Sequence, residues 1–533
     1  MVMQDLDAAI DRVLDSKTSN FLELLRVAEL DPKIDLRYRN WAGLDLSKLD
    51  LRGFDFTGAD LSNTRFENSL ISGAVFKGAS YDPMELRKAA DYSEKRISSV
   101  LLAYQLLSSL AAPFSHLLLA QRLKRGRENS DRLDERLGES LRVRPEGTLI
   151  WLHAPGVSEL ASALSLIQRI AERNFNILVT TSTVTSSELA DQRLPRGVTH
   201  QFLPLDARRF MRRFLERWQP DLALFVESNL FPNMIIETSR RSVPMILING
   251  RVSDNSFKRL LYLPKTIGVL LRRFDLCLAA TAADAMRLAD LGARRVVTSG
   301  NLKLDVPLQP VDATKLRELS DAISFRPLIA AAQTHTGEDV LIVRAHNRLC
   351  ANFPGMLTFI TPRHPERGID IAEIAQSVGL NVSLRSRHDP LHPNTDIYVF
   401  DTIGELGLVY QLAPILFIGG SLVRHGGQSP IEPAKSGAAI VHGPYTWNFA
   451  EIYDALDRNG GGQSVTDGNQ LATVMGTLLS DQQACARAAD ASRTVIETIG
   501  GALERTLNEL EPYLAYLEDN GSKRNLQSLA LGA

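Results

Sequence analysis

The sequence predicts an α/β protein in which two similar parallel-sheet domains follow one another, preceded by a repeat segment and an apolar helical segment. Short apolar runs alternate with helical patterns from residue 148 to 249, and the same alternation restarts near Arg326. Large apolar residues recur at every fifth position between Leu46 and Tyr81, and residues 97–121 contain no Asp, Glu, Lys or Arg. With 533 residues, the chain is long enough for about three domains.

The composition is that of a mostly globular protein. Hydrophobic residues make up 44% of the chain and charged residues 23%, which excludes a wholly disordered, collagenous or polytopic membrane protein. The 60 Lys and Arg residues balance 62 Asp and Glu residues, so we expect no nucleic-acid partner. Cys277, Cys350 and Cys485 are too few and too scattered for a disulfide framework or a cysteine-based zinc site. Acidic residues at the start of the sequence argue against a secretory signal peptide.

Residues 1–38 are predicted to form one or two helices, because apolar residues fall near helical spacing up to the turn at Asp31–Pro32. Residues 39–83 carry a repeat of five residues, a period that fits neither a helix nor a flat strand. Its large apolar positions are Leu46, Leu51, Phe56, Leu61, Phe66, Ile71, Phe76 and Tyr81. The segment resembles the pentapeptide repeats, and the resemblance implies a square β-helix of about two coils with four pentapeptides in each. No cluster of catalytic residue types lies within it, so we interpret it as a spacer or as a docking surface for a protein partner.

Residues 84–146 are predicted to contain apolar anchor helices followed by a linker. The uncharged stretch of residues 97–121 is just long enough to cross a bilayer, but Pro113 and several polar residues also favour a shallow or re-entrant anchor. A helix hairpin buried in the protein is the alternative without a membrane. The basic residues that follow suit anionic headgroups and favour a cytoplasmic position for the rest of the chain. These residues are Arg122, Lys124, Arg125 and Arg127.

The two α/β domains are predicted at residues 147–315 and 316–533, the second ending in helices. In such sheets, ligands bind at the carboxyl ends of the strands, where loops meet helix amino-termini. In the first domain, Glu159 begins a helix after one strand, and Glu227 ends another. Two carboxylates on neighbouring strand ends can serve as a general base and an acceptor-binding group. From spacing alone, Glu159 as a helix-dipole partner and Glu227 as an ordinary hydrogen-bonded residue remain open.

Polar residues of the second domain also follow strand ends. Basic and imidazole groups there suit an anionic donor, and Arg363 can form a forked pair with a phosphate. The glycines of a later loop let the backbone approach a phosphate, and a glutamate early in the next helix can accept from ribose hydroxyls. A tight structural turn is the alternative for that loop. The candidate donor-binding residues are Thr334, His335, Arg363, His364, Gly420, Ser421, Gly426, Gly427, Glu432, Asn448 and Glu451.

Several segments, taken in order, resemble the motifs of the Kdo transferases, which add 3-deoxy-D-manno-octulosonic acid (Kdo) to lipid A precursors. The segments are IWLHAPGVSE, VESNLFPN, GNLKLD, QTHTGED, PRHPER, FDTIGELGLVY and GGSLVRHGGQSPIEPA. The resemblance runs from about Tyr104 to Leu507 and includes the sequence ERLG at Glu135 to Gly138.

The resemblance implies a GT-B glycosyltransferase with two Rossmann-like domains facing a cleft, the first binding the acceptor and the second binding the donor CMP-Kdo. It implies an inverting reaction without a cofactor, in which Glu159 is the base and Glu227 orients the acceptor or the base. Arg363 and backbone N–H groups, rather than a metal ion, would stabilise the leaving CMP. The resemblance also implies lipopolysaccharide biosynthesis at the cytoplasmic face of the inner membrane, with a lipid-linked acceptor.

The sequence departs from the family's motifs where substrates would bind. On the acceptor side, Asn229 stands in place of a glutamate, Phe231 in place of a tryptophan and Ser158 in place of a glycine. On the donor side, Gln428–Ser429 stand in place of His-Asn. We therefore expect a divergent paralogue that transfers Kdo, or a related ulosonic acid, to a lipid A precursor or another lipid-linked envelope glycan. Two alternatives stay open: a GT-B transferase with a different nucleotide-sugar donor, and a non-catalytic donor-binding scaffold of an envelope assembly complex.

Overall fold

The computed structural model describes residues 12–13, 15–16, 18, 20–90, 97–227, 230–308 and 311–531, with side chains up to residue 519. The chain divides into two compact units, Met1–Val306 with Gly501–Ala533, and Pro307–Gly500. Each unit contains a parallel sheet of seven strands. The predicted α/β fold class with two Rossmann-like domains is therefore confirmed.

The repeat segment forms the predicted β-helix. Helix α1 (Phe21–Val27) precedes it, while residues 1–11 of the predicted N-terminal helices lie outside the described residues. Strand β1 (Asp60–Leu61) pairs in parallel with β2 (Ser80–Tyr81), and further bridges such as Asn40 to Asp60 also join residues twenty positions apart, which is four pentapeptides. None of the eight large apolar residues of the repeat is more than 6% exposed, so they point inward as predicted. Helix α2 (Pro83–Leu86) follows the last coil.

One end of the β-helix packs against the rest of the first unit. The Arg295 guanidinium donates to the Tyr81 hydroxyl at 2.8 Å and lies 5.3 Å from the ring centroids of both Phe76 and Tyr81. Arg87 forms an ion pair with Asp275 at 3.2 Å, and the Asp275 carboxylate is buried. A short stack of coils leaves its apolar end uncovered unless a neighbour packs on it. Here that neighbour is the chain's own α/β unit.

The apolar segment consists of α3 (Ser99–Ala111), a 3₁₀ turn (Ala112–Phe114) and α4 (Ser115–Lys124). Within the described ranges, it is the one helical segment long and apolar enough to cross a membrane. One side of it packs on the first unit, because Leu101 is buried and the Tyr104 hydroxyl donates to Asp206 at 2.9 Å. The other side exposes the large apolar side chains of Leu102, Leu106, Leu107, Leu110, Phe114, Leu117 and Leu118. The segment is therefore not a hairpin buried on all sides.

The sheet of the first unit has the strand order β5-β4-β3-β6-β7-β8-β9, with every neighbouring pair parallel. Its strands are β3 (Leu149–His153), β4 (Asn176–Thr181), β5 (Thr199–Phe202), β6 (Leu222–Val226), β7 (Met245–Gly250), β8 (Leu276–Ala279) and β9 (Val296–Thr298). Its helices are α5 (Leu133–Arg136), α6 (Val157–Ala171), α7 (Val184–Arg193), α8 (Arg208–Trp218), α9 (Pro232–Arg240), α10 (Asp254–Leu260), α11 (Pro264–Leu271) and α12 (Ala282–Asp290). Since β3, β6 and β7 are neighbours, their carboxyl ends lie side by side.

The sheet of the second unit has the order β12-β13-β11-β10-β14-β15-β16, again with parallel neighbours. Its strands are β10 (Leu328–Thr334), β11 (Leu357–Pro362), β12 (Val382–Leu384), β13 (Ile397–Val399), β14 (Ile415–Ile418), β15 (Ala439–His442) and β16 (Gly462–Ser464). Its helices are α13 (Ala313–Ile323), α14 (Glu338–Cys350), α15 (Gly368–Gln376), α16 (Leu406–Leu412), α17 (Ile431–Lys435), α18 (Ala450–Arg458), α19 (Gly468–Ser480) and α20 (Gln482–Ile499). The carboxyl ends of β10, β11, β14 and β15 are the strand ends that precede the predicted donor residues.

The final helix, α21 (Ala502–Leu531), differs from the sequence prediction, which placed it in the domain at 316–533. Its residues Leu510, Tyr513 and Leu514 are buried in the same apolar core as Leu160 and Ile167 of α6. The Asp305 carboxylate also accepts from the backbone N–H of Gly501 at 2.7 Å. The helix therefore belongs to the first unit, because its apolar face fills that unit's core.

Candidate active site

Glu159 lies in the first turn of α6, directly after the Pro155–Gly156 turn that ends β3. Its carboxylate folds back over Gly156, since a Cβ at that position would lie 2.6 Å from Glu159 Oε2. The glycine therefore makes room for the carboxylate. Glu159 is partly exposed and its neighbour Ser158 is exposed, whereas Leu160 turns into the core. A partly exposed carboxylate at a helix start can reach an acceptor hydroxyl and take its proton.

Glu227 follows β6 with φ +59°, a left-handed conformation that non-glycine residues adopt at a cost and that recurs at functional sites. Its carboxylate forms an ion pair with Lys303 Nζ at 2.8 Å. Lys303 lies in the 3₁₀ turn Leu302–Leu304, and the Leu302 N–H donates to Asn249 Oδ1 at 3.1 Å, at the end of β7. Lys303 belongs to the quoted segment GNLKLD, but its partner was not predicted from the sequence. Asn229, the other predicted acceptor-side residue, lies outside the described residues.

His153 ends β3, and its Nδ1 lies 2.9 Å from Thr180 Oγ1. Its ring packs edge-on against Phe231, one of the residues that departs from the family's motif. Within the described part of the chain, its buried Nε2 has no hydrogen-bond partner. Burial lowers the pKa of His153 to about 4, so the imidazole is neutral near pH 7. A neutral imidazole in a fixed position therefore ends β3, the strand that leads into the helix of Glu159.

The buried histidines predict a stability that falls in mild acid. Burial lowers the pKa of His200 to about 3 and that of His346 to about 4, as for His153. In the unfolded chain, these histidines take up protons near pH 6.5, whereas in the folded chain they stay neutral. Their contribution to the free energy of unfolding is therefore fully present above pH 6.5 and is lost as the pH falls toward 4. We expect each histidine to remove about 1.4 kcal/mol of unfolding free energy per pH unit across this window. Urea unfolding followed at pH 7.5, 6 and 5 measures the slope.

The matched variants for this measurement are His153→Gln and His388→Gln, because His388 is exposed. We expect His153→Gln to flatten the dependence on pH and His388→Gln to leave it unchanged. Equal slopes in all three proteins would contradict the assignment. Carboxylates do not explain a loss of stability in this window. Those with lowered pKa values, such as Glu405 at about 2, lose their contribution mainly below the usual glutamate pKa, and those raised by burial, such as Glu509, add stability as the pH falls.

On the donor side, the loop after β10 holds His335, whose ring centroid lies 3.8 Å from that of His425 and 6.2 Å from that of His364. Burial, and then the neighbouring imidazoles and Arg363, lower the pKa of His335 to about 4. His335 Nε2 also lies 2.9 Å from Gln428 Nε2, the residue that replaces the family's histidine. The structure therefore groups a neutral imidazole with two others and a guanidinium. Such a group can donate hydrogen bonds to a phosphate or carboxylate.

Arg363 and His364 follow β11 and are exposed. The Arg363 backbone N–H donates to Thr334 O at 3.0 Å, which fixes the backbone at the start of this exposed residue. The Thr334 hydroxyl is fully buried and donates to Asp339 at 2.7 Å. Thr334 therefore holds the loop through internal hydrogen bonds, whereas the Arg363 side chain is accessible to a ligand.

The glycine loop after β14 has left-handed backbone at Gly420, Gly426 and Gly427. A Cβ at Gly426 would lie 2.6 Å from the amide nitrogen of Asn448, and that amide donates to the carbonyls of His425 and Gly427. The Ser421 hydroxyl is buried and accepts from the Gly443 N–H at 2.8 Å. Asn448 and Ser421 therefore fix this loop to the next strand end.

The N–H groups of Gly420 and Ser421 do not point to an open phosphate site. They donate to the carboxylate of Glu338, at 2.7 Å and 3.0 Å. The predicted donor residues thus follow the carboxyl ends of neighbouring strands of one sheet. Glu338 was not among the residues predicted from the sequence. Its signal was present in the segment QTHTGED, as an acid in the first turn of a helix after a strand. Burial raises the pKa of Glu432 in α17, and Glu451 is exposed in the first turn of α18.

No group of three or more His, Cys, Asp or Glu side chains is arranged to hold a metal ion in the part of the chain that the structure describes. Metal independence stays a prediction, and its test is the activity in the presence of a chelator.

The chain is similar to proteins of known families. Residues 131–306 match the family model described as 3-deoxy-D-manno-octulosonic-acid transferase, and residues 42–79 match eight pentapeptide repeats. The chain is 34% identical to a probable 3-deoxy-D-manno-octulosonic acid transferase, mitochondrial, of Arabidopsis thaliana, over 75% of this chain and 92% of the relative. It is 32% identical to the 3-deoxy-D-manno-octulosonic acid transferase of Haemophilus influenzae, over 69% and 88%. The C-terminal CMP-Kdo binding domain of WaaA from Acinetobacter baumannii is 27% identical, covers 34% of this chain and 97% of its own, and gives a TM-score of 0.33.

Proposed function

The chain belongs to the 3-deoxy-D-manno-octulosonic acid transferase family, and on that premise we propose that it moves Kdo from CMP-Kdo to a lipid A precursor or another lipid-linked envelope glycan, with inversion. The observation that carries the proposal is the partly exposed carboxylate of Glu159, beside the Glu227–Lys303 pair on the neighbouring strand end. This pair of strand ends supplies a base and a charged group for the acceptor within one unit.

In the proposed reaction, Glu159 takes the proton of the acceptor hydroxyl as that oxygen attacks the anomeric carbon of Kdo. The bond between this carbon and the phosphate oxygen breaks, and its electron pair leaves with CMP. Arg363 balances the charge on the phosphate, and the neutral His335 donates a hydrogen bond without adding charge. No covalent sugar intermediate is needed, so a single attack inverts the anomeric configuration.

The test is release of CMP from CMP-Kdo by the purified full-length protein, with a chelator present and with or without a lipid A precursor. The proposal expects release that depends on the acceptor and persists with the chelator. Binding of CMP without release would leave the donor assignment standing and reject this acceptor, which the changes at Ser158, Asn229 and Phe231 make the most open part of the proposal. Absence of CMP binding would reject the Kdo donor and favour a different nucleotide sugar, tested with a panel, or a scaffold role.

We further propose attachment to the cytoplasmic face of the inner membrane through the α3–α4 segment. Its exposed leucines and phenylalanine form an apolar surface, and Arg122, Lys124, Arg125 and Arg127 lie at its end, where they suit anionic headgroups. A protein partner on the β-helix is also proposed, on the sides that do not pack against Arg295 and Asp275.

Replacing Leu106 and Leu110 together by Asp is expected to abolish most membrane binding. These side chains are 66% and 71% exposed, and each leucine buried in a bilayer contributes about 2 kcal/mol, so two charges in their place should weaken binding at least about 100-fold. Co-sedimentation with phosphatidylglycerol vesicles measures the effect. The control is Leu141→Asp, since Leu141 is 96% exposed outside this segment. Equal binding of the double variant and the control would reject the surface.

A further inference from the structure

The second unit, Pro307–Gly500, contains a buried carboxylate whose hydrogen bonds all come from backbone N–H groups. Glu338 is fully buried at the start of α14. Its Oε2 accepts from the N–H groups of His335 at 2.9 Å and Gly420 at 2.7 Å. Its Oε1 accepts from those of Ser421 and Leu422, both at 3.0 Å.

This geometry indicates the ionised form. A carboxylate has about four acceptor positions, and here each is directed at an N–H donor. A proton on either oxygen would meet one of these donors. Burial raises the pKa of Glu338 above the usual glutamate value, although its four N–H bonds act in the opposite direction. In the described part of the chain, its partners are therefore amide dipoles and the amino-terminal end of α14, rather than a lysine or arginine.

The three successive N–H groups of Gly420, Ser421 and Leu422 form what we call the 420–422 nest. Successive N–H groups in such a turn create an anion-binding concavity, and phosphates occupy this kind of concavity in many proteins. Left-handed backbone at Gly420 is what turns its N–H in the same direction as those that follow. The nest lies between the ends of the paired strands β10 and β14, among the predicted donor residues. The protein's own carboxylate fills it.

A donor phosphate consequently cannot use the nest, and a second phosphate near it would meet a negative charge. A nucleoside monophosphate needs one anion position, for which Arg363 and His335 are available. A nucleoside diphosphate needs two. We infer that Glu338 is a specificity-determining residue, whose carboxylate occupies the 420–422 nest in place of a second phosphate and so restricts the unit to nucleoside monophosphate donors. This inference rests on the proposed CMP-sugar donor.

The test compares the dissociation constants of CMP and CDP for the full-length protein by calorimetry. Wild type is expected to bind CDP no more tightly than CMP. In Glu338→Ala, which opens the nest, the ratio of the two constants should shift about tenfold or more toward CDP, because a charged phosphate then gains the free N–H groups. Glu338→Gln keeps the nest filled and should shift the ratio less. Glu373→Ala, an exposed glutamate of α15, is the matched control and should not shift it.

The ratio of two affinities distinguishes specificity from stability, because partial unfolding lowers both affinities equally. Tighter binding of CDP than CMP by wild type would overturn the inference. So would an unchanged ratio in folded Glu338→Ala. If neither Glu338 variant folds, the residue serves stability alone and the specificity role is rejected. Binding of neither nucleotide by wild type is a different result, which rejects the proposed donor itself.

Discussion

Glu159→Gln is expected to lower the kcat of acceptor-dependent CMP release about 10³-fold, the middle of the range for a lost general base. The amide keeps the size of the side chain and its position over Gly156, but it cannot take a proton. Since the carboxylate acts on the hydroxyl during attack rather than on bound donor, the KM for CMP-Kdo should change little. Steady-state rates and thermal unfolding, measured on the same preparation, separate lost chemistry from lost folding.

Glu172→Gln is the control for this variant. Glu172 caps the same helix, and its side chain is exposed. It should retain wild-type rates. A Glu159→Gln protein with a kcat within about tenfold of wild type would remove Glu159 from the role of base, because a missing general base costs at least about 100-fold. Glu227, which pairs with Lys303, would then be the next candidate for the base.

Arg136→Met is expected to lower the free energy of unfolding by about 3 kcal/mol, the lower end of the usual cost of breaking a buried ion pair, because Glu128 keeps a second partner in Arg122 at 2.9 Å. Arg136 forms an ion pair with Glu128 at 2.8 Å, with their side chains 4% and 1% exposed. Its guanidinium also donates to the carbonyls of Leu203 and Ser182, at 3.0 and 2.7 Å. Met fills a similar volume but cannot donate a hydrogen bond to the Glu128 carboxylate or to the two carbonyls. Urea unfolding of the purified variant measures the loss.

Arg127→Met tests whether the effect depends on burial, because Arg127 is an exposed arginine nine positions earlier. Its unfolding free energy should stay within about 0.5 kcal/mol of wild type. A loss below about 1 kcal/mol in Arg136→Met, the typical effect of any substitution, would show that the buried pair does not hold the linker to the sheet. The prediction also gives a physical reason for the sequence ERLG, whose Glu135 accepts from the Phe202 N–H at 2.7 Å.

Patterns that repeat along the chain were sufficient to predict much of the fold. The five-residue period fixes which side chains point into the β-helix, and uninterrupted apolar runs identify buried strands such as β3 and β6. The short edge strands β9 and β16 were not predicted, because residues such as Thr298 and Gln463 break any apolar run. The apolar pattern of α21 shows a helix but carries no information on which core it enters.

The candidate site also contains residues that could be predicted from the sequence and residues that could not. Glu159, Glu227 and the glycine loop follow strand ends, so turn signals and motifs could locate them. Lys303 and Glu338 act through partners far away in the chain, a carboxylate on another strand end and a set of backbone N–H groups. Neither pairing has a local sequence signature. The structure also corrects the role of the loop N–H groups at Gly420 and Ser421, which bind an internal acid.

The position of α21 has a consequence for synthesis on the ribosome. The first unit needs the apolar face of this helix, yet the whole of Pro307–Gly500 is translated before it. At the usual elongation rate, these residues take roughly 10 to 40 s to make. During that time the second unit can fold on its own. Leu160 and Ile167 of the first unit then lack the apolar residues of α21 that complete their core. The nascent chain therefore leaves the part of this core that α21 covers exposed for many seconds, and we expect chaperones to bind it during this stage of translation.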